Sequence, residues 1–179
     1  MPCDVRRAPS TQNPRQEDFS PIAILGGGNI GTAIARGLVA SGKCSPQSIT
    51  ITRRDLTPIQ SLGDLGVRLI SDNVQAVRDA KIIILAVRPL QLSSLIEGIK
   101  EVLDSSHHLV LSVASGVSIE ETSRLIGTKI PVVRVMPSTA IAVRESMTCL
   151  AAKAEHKEAL EISKNIFSAL GKTQVIEEE

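Results

Sequence analysis

The chain has 179 residues, 42% of them hydrophobic, and a net charge of +1: enough apolar content for one sizeable core, and no electrostatic footprint for nucleic acid. Phe19 and Phe167 are the whole aromatic complement, so no base-stacking platform can form. No apolar run reaches the length of a membrane span.

Cys3, Cys44 and Cys149 are widely separated, and His107, His108 and His156 show no ligand spacing. No metal site is therefore expected, and the thiols suit a reducing, cytoplasmic setting. Residues 1–19 are polar, carry three prolines and mix both charge signs. They lack the apolar stretch of a secretory signal and are too acidic for a transit peptide, so they read as a disordered leader before a domain covering 20–179.

In chain order, Ile22–Leu25 is the first strand, and it delivers the chain to Gly26, Gly28 and Gly31 in G-x-G-x-x-G spacing. Each glycine has its own task in holding a dinucleotide. Gly26 permits the tight turn, Gly28 lets the backbone approach the pyrophosphate, and Gly31 lets the next helix pack against the sheet. That helix aims its free N–H groups and positive dipole end at the phosphates. Its inward face is Ile30, Ala33, Ile34, Gly37 and Leu38, and Gly42 stands where a C-cap belongs. The strand–turn–helix context makes the glycine pattern specific.

The second strand ends in Thr52, Arg53 and Arg54. An NAD site places Asp or Glu there, about 20 residues on, to accept from the ribose 2′-hydroxyl. Arginine cannot accept a hydrogen bond, whereas its planar fork suits a phosphate dianion. Asp55 comes late and follows two cations. The expected cofactor is NADP(H), with Arg53 the principal contact and Thr52 and Arg54 in support.

Alternation of strand and helix continues, the pattern of a doubly wound, mostly parallel α/β sheet of Rossmann type. A short helix opens at Thr57–Pro58 and ends near Gly66, Val67–Ile70 is a strand, and 73–79 gives one or two helical turns. Ile82–Val87 is a central strand, and the helix after Pro89 presents Leu92, Leu95, Ile96, Ile99 and Leu103 on one face. Leu109–Ala114 is the next strand, Ser118 with Glu121 forms a capping box, and Val132–Met136 is a strand. The chain then reads as a further strand at 147–152, a helix at 155–170 closed by Gly171, and a last strand at 173–177.

Ligands in such sheets lie outside the carboxyl ends of the strands. The third strand ends near 71–73, and the later ends are Ala86, Val87, Arg88 and Pro89; Ala114, Ser115 and Gly116; and Met136, Pro137, Ser138 and Thr139, where small and proline-stiffened residues recur. A flat ring approaching backbone would require such residues, although Pro89 and Pro137 can also simply terminate strands.

GGGNIGTAIARGL, LAVRP, SVASGVSIEE and RVMPSTAIAVRE, in this order, resemble the N-terminal domain of pyrroline-5-carboxylate reductases over about residues 20–178. The resemblance implies NADPH-dependent reduction of the cyclic imine 1-pyrroline-5-carboxylate to L-proline. It further implies that Gly28, Asn29 and Ile30 touch the pyrophosphate, Thr52–Arg54 the 2′-phosphate and Asn73 the adenosine ribose. Asn73 can also be read as a helix N-cap, and the two roles are compatible. Ala86, Val87 and Pro89 are placed along the nicotinamide side, with Ala114, Ser115 and Gly116 near the ring and substrate.

Ser115, Ser138 and Thr139 are the polar candidates on the substrate side, suited to hydrogen bonding rather than proton donation, so no catalytic acid is assigned. The family's M-P-N-T-P stands here as M-P-S-T-A, which weakens any inherited contact at Ser138. Family members continue into a helical, dimerising domain with a substrate loop, and that domain has no counterpart in this sequence. The expectation is therefore a homo-oligomeric parent and a chain that binds NADPH without being a competent reductase alone. A shortened piece of a longer protein is the simplest account, a natural short paralogue the other. Alternatives for function are a deazaflavin-dependent NADP reductase, another imine or keto-acid reductase, or a non-catalytic NADP-binding module. The partner implied is a small-molecule substrate, with neither nucleic acid nor membrane.

Overall fold

A computed structural model describes residues 21–127 and 129–178. The leader expected at 1–19 lies outside the described residues. Among the described residues, eight strands form one sheet in the order β3-β2-β1-β4-β5-β6-β7-β8. Their ranges are β1 Ile22–Leu25, β2 Ile49–Thr52, β3 Arg68–Ile70, β4 Ile82–Leu85, β5 Leu109–Ser112, β6 Val132–Pro137, β7 Ser146–Ala152 and β8 Gly171–Val175. The helices are α1 Asn29–Ser41, α2 Gln60–Gly63, α3 Asn73–Arg78, α4 Pro89–Ile99, α5 Ile119–Ile126 and α6 Lys157–Phe167. The doubly wound, mostly parallel class is the observed one.

Alternation along the strands divides the core into two layers. Ile22, Ile24, Ile49, Ile51, Ile82 and Ile84 pack on one face against Ile34 and Leu38 of α1 and Ile166 and Phe167 of α6. Ala23, Leu25, Ile83 and Leu85 face Ala76 and Val77 of α3, Leu92 and Ile96 of α4, and Ile126 of α5. Burying each large side chain contributes about 1.5–3 kcal/mol, which is why the central strands read as unbroken apolar runs.

β6 and β7 pair antiparallel, and β7 and β8 pair parallel. The connection between β6 and β7 holds only a single 3-10 helix, Thr139–Val143. That link is too short for a parallel crossover, which takes a dozen or more residues, so the chain must reverse. α6 then supplies the crossover that restores the parallel sense. The helix expected over 155–170 is α-helical only at Lys157–Phe167, with 3-10 turns at both ends. β8 begins two residues before the expected 173, because Gly171 at φ +141 runs so close to the backbone of Ser146 that no side chain fits.

Arg144 is the one non-glycine residue with positive φ among those described (φ 62). Its guanidinium donates to the carbonyls of Ala169 and Ala40, at 3.3 Å each, tying the segment before β7 to the C-terminal end of α1.

His108 is 6% exposed, and its Nδ1 accepts from the Asp104 amide at 2.8 Å. Burial first, and the neighbouring His107 second, hold its pKa below the ordinary 6.5. The fold thus favours the neutral ring and the unfolded chain takes up the proton first, so stability is present above about pH 6.5 and falls as the pH drops through and below it. Urea midpoints at pH 7.5 and pH 5 should therefore differ more for the wild type than for His108→Gln. An equal difference would remove His108 from the acid response.

Candidate cofactor cleft

The carboxyl end of β1 meets those of β2 and β4 where the strand order reverses, the switch point at which dinucleotides bind. There the glycine turn is stitched to β2: the amides of Gly26 and Gly27 donate to the Thr52 carbonyl at 3.2 and 2.7 Å. On its other side the Ala86 amide donates to the Leu25 carbonyl at 2.9 Å. Gly26 adopts φ +117 and passes so close to the Ala86 carbonyl and Val87 that a methyl group would collide with both. Gly31 lies as tightly on the Gly26 carbonyl and the Ala86 side chain, which brings α1 down onto the turn.

A cleft of about 1220 Å³ opens above this junction. It exceeds the roughly 300–1,000 Å³ of an ordinary small-ligand pocket. From the expected cofactor set it gathers Gly26, Gly28, Asn29 and Ile30 from the turn, Thr52, Arg53 and Arg54 from the β2 end, Asn73 from α3, and Ala86, Val87 and Pro89 from the β4 end. Of the substrate-side candidates Ser115 lines it. Gly31 and Ala114 do not; Gly31 packs beneath the turn, and Ala114 is 4% exposed within the α3–α5 layer. Gly116, Ser138 and Thr139 also lie outside the cleft lining. The Ser138 amide donates to the Met147 carbonyl and to Ser146 Oγ, and the Ser138 hydroxyl accepts from the Met147 amide. Its polar groups thus serve the β6–β7 reversal.

The lining has the chemistry a dinucleotide requires. No side chain caps α1, whose N-cap is Gly28, so the helix's leading amides face the cleft mouth without an internal competitor. A Cβ built on Gly28 meets nothing within 4 Å, which marks open space for a phosphate to approach backbone. Arg53 is half-buried and its guanidinium donates to the Gly27 carbonyl, lying across the glycine turn, while Arg54 is exposed. Thr52, 3% exposed, donates its hydroxyl to Asn73 Oδ1 at 2.5 Å. The amide of Asn73 is thereby oriented with its NH₂ as the remaining donor.

Both acidic residues of the lining are already engaged. Asp55 accepts from the Thr57 amide at 3.0 Å. That backbone bond first, the Thr57 hydroxyl next and Arg53 more weakly hold its carboxyl below the usual range. Asp72 accepts from the Val74 and Gln75 amides at 2.9 and 3.1 Å and is the N-cap of α3. The capping role considered for Asn73 therefore belongs to its neighbour, because only the residue before the first helical turn can reach those amides. Each carboxylate is thus held by its Oδ1 to backbone amides of its own segment, beside the two arginines of the lining.

The sequence reading missed the contribution of α4. Gln91, Ser94, Leu95 and Gly98 line the cleft at helical spacing. The signal was present as the stripe beside the buried one, Leu92, Ile96 and Ile99. Arg88, read from the sequence only as part of the β4 end, lines the cleft, and its Nε lies 3.5 Å from Gln91 Oε1.

A family model described as NADP oxidoreductase, coenzyme F420-dependent, matches residues 21–116, more than half of the chain. The chain belongs to this NADP oxidoreductase family. It is 40% identical over 170 residues to pyrroline-5-carboxylate reductase 1 of Dictyostelium discoideum, covering 88% of this chain and 31% of that protein. A solved pyrroline-5-carboxylate reductase from Coxiella burnetii is 32% identical with a TM-score of 0.84, covering 90% of this chain and 60% of that one. The pyrroline carboxylate reductase of Plasmodium falciparum, solved with NADP bound, shares the fold at 22% identity and a TM-score of 0.78, covering 89% of this chain and 58% of that one. The likeness read from the sequence motifs thus extends along nearly the whole described chain. The chain spans between about a third and three fifths of the relatives named here. Among the described residues no helix is long and apolar enough to cross a membrane.

Proposed function

We propose that this chain is the NADPH-binding part of a pyrroline-5-carboxylate reductase. The observation that carries the cofactor reading is the charge arrangement at the β2 end: Arg53 and Arg54 line the cleft while Asp55 and Asp72 are held by backbone amides. An adenosine 2′-phosphate at that end puts the pyrophosphate over Gly28, Asn29 and Ile30. The dinucleotide then crosses the switch point toward Ala86, Val87, Pro89 and Ser115, beyond which the substrate would lie.

Bound NADPH would supply the hydride that converts a cyclic C=N bond to an amine. The chain's own part is placement. The α1 amides and the arginines fix the two phosphate ends, and Val87 and Pro89 give the ring an apolar wall. The Ser115 hydroxyl offers a hydrogen bond on the substrate side. None of these is a proton donor matched to neutral pH, so protonation of the imine falls to the substrate or to groups beyond this domain. The whole protein is expected to be a cytoplasmic homo-oligomer.

Thermal-shift titration tests the binding half of this reading. At a hundredfold excess over Kd, NADPH should raise the midpoint by roughly 5–10 °C, and NADH at the same concentration by much less. Absence of a shift at millimolar NADPH would defeat it. The activity half is tested on the whole protein of which this chain is the NADPH-binding part, by pyrroline-5-carboxylate-dependent loss of absorbance at the NADPH band. A deazaflavin-linked NADP reductase is the second reading, favoured by the description of the matching family model. Turnover with the oxidised deazaflavin, and none with the imine, would select it.

A further inference from the structure

A side-chain cluster outside the cleft joins the segment after β8 to the loop that borders it. The Glu178 carboxylate pairs with Arg134 of β6, with Nη1 to Oε1 at 2.8 Å. The same carboxylate accepts from the Ile119 amide, at 3.1 Å to Oε1 and 3.0 Å to Oε2. Both side chains of the pair are largely buried, at 22% and 17% exposure, so the link is screened less than a surface pair. Ile119 is the first residue of α5, where an acidic group also meets the positive end of the helix. Four residues upstream stands Ser115, in the cleft lining, and between them Gly116 turns at φ +75 and Val117 is buried. The loop thus leaves the cleft and is fastened within one turn, by Ser118 onto the Glu121 amide and by Glu178 onto Ile119.

We infer that Arg134 and Glu178 form a clasp that positions the Ser115–Gly116 loop against the nicotinamide half of the cofactor. The two are positioning residues; neither touches the cleft. The inference rests on the NADPH reading above, because it is the strand order that sets the β5 loop at the end of the cleft opposite Arg53 and Arg54. A clasp acting on that end should affect a ligand that carries nicotinamide and spare one that lacks it. A general loosening of the domain should affect both.

The test is calorimetric titration of the full chain with NADPH and with adenosine 2′,5′-bisphosphate. Glu178→Ala should weaken NADPH at least fivefold and leave the bisphosphate within twofold of the wild type. Amide exchange at Ile119 should quicken at least tenfold. Arg134→Met should give the same selective loss, and the double variant should lose no more than either single one, as partners in one contact do. Equal weakening of both ligands, no weakening of NADPH, or additive losses would overturn the clasp. Failure of the wild type to bind either ligand would overturn the cofactor reading itself, and the clasp with it.

Discussion

Replacing Arg53 and Arg54 together with alanine should weaken NADPH binding roughly 100- to 1,500-fold and change NADH binding by less than about threefold. Hydrogen bonds to a charged group contribute about 1.5–3 kcal/mol each, and a decade of affinity corresponds to about 1.4 kcal/mol. The lower part of that range applies to Arg54, which is exposed and screened by solvent. Arg53 should carry the larger share, since it is half-buried and already aligned across the glycine turn by its bond to the Gly27 carbonyl. That bond also means that part of the guanidinium's donor capacity is used before a ligand arrives, which keeps the side chain in place at the cost of one N–H. Titration of nicotinamide fluorescence with each reduced cofactor reads the ratio directly. An equal loss for both would place the 2′-phosphate elsewhere.

The second large effect separates two glycines of one motif. Gly26→Ala should destabilise the fold by about 2–5 kcal/mol, combining overpacking with the cost of a left-handed backbone for an L-residue. A domain of this size should then melt roughly 5–15 °C lower. The cause is the collision with the Ala86 carbonyl and Val87 at φ +117. Gly28→Ala should change stability by no more than about 1 kcal/mol, because its φ of −82 is open to any residue and its Cβ would meet nothing within 4 Å. Yet it should weaken NADPH at least tenfold, because the methyl group would stand where the pyrophosphate approaches backbone. Thermal melts and cofactor titrations on the two variants should therefore give opposite patterns. A stable Gly26→Ala protein or a tight-binding Gly28→Ala protein would contradict the roles assigned to them.

Features written in local sequence were legible before the fold was known. The apolar runs at Ile22–Leu25 and Ile82–Val87 became strands covered on both faces, the second ending two residues early at Leu85. Ser118 became the cap of α5 and Gly42 the left-handed C-cap of α1. What escaped depended on groups far apart in sequence or on choices between neighbours. Asp72 and Asn73 are adjacent polar residues, and only the position of the first helical turn decides which one caps. The reversal of β7 follows from loop length rather than from any residue type. The contact between Glu178 and Ile119 spans 59 positions, and no periodicity carries such information. The cleft-facing stripe of α4 was hidden for a different reason. Gln91, Ser94 and Gly98 are the polar and small residues that a hydrophobic pattern discards.

The engagement of Asp55 has a consequence for how the cleft would respond to acid. Arginine keeps its charge throughout the working range, and histidine, the one side chain that ordinarily titrates between pH 5 and 8, is absent from the lining. Asp55, held low by the Thr57 amide, is already ionised there. A 2′-phosphate dianion, by contrast, takes up a proton near about pH 6. Preference for the phosphorylated cofactor should therefore decline below that pH along the titration curve of the ligand. In this cleft the pH sensor is the molecule being bound.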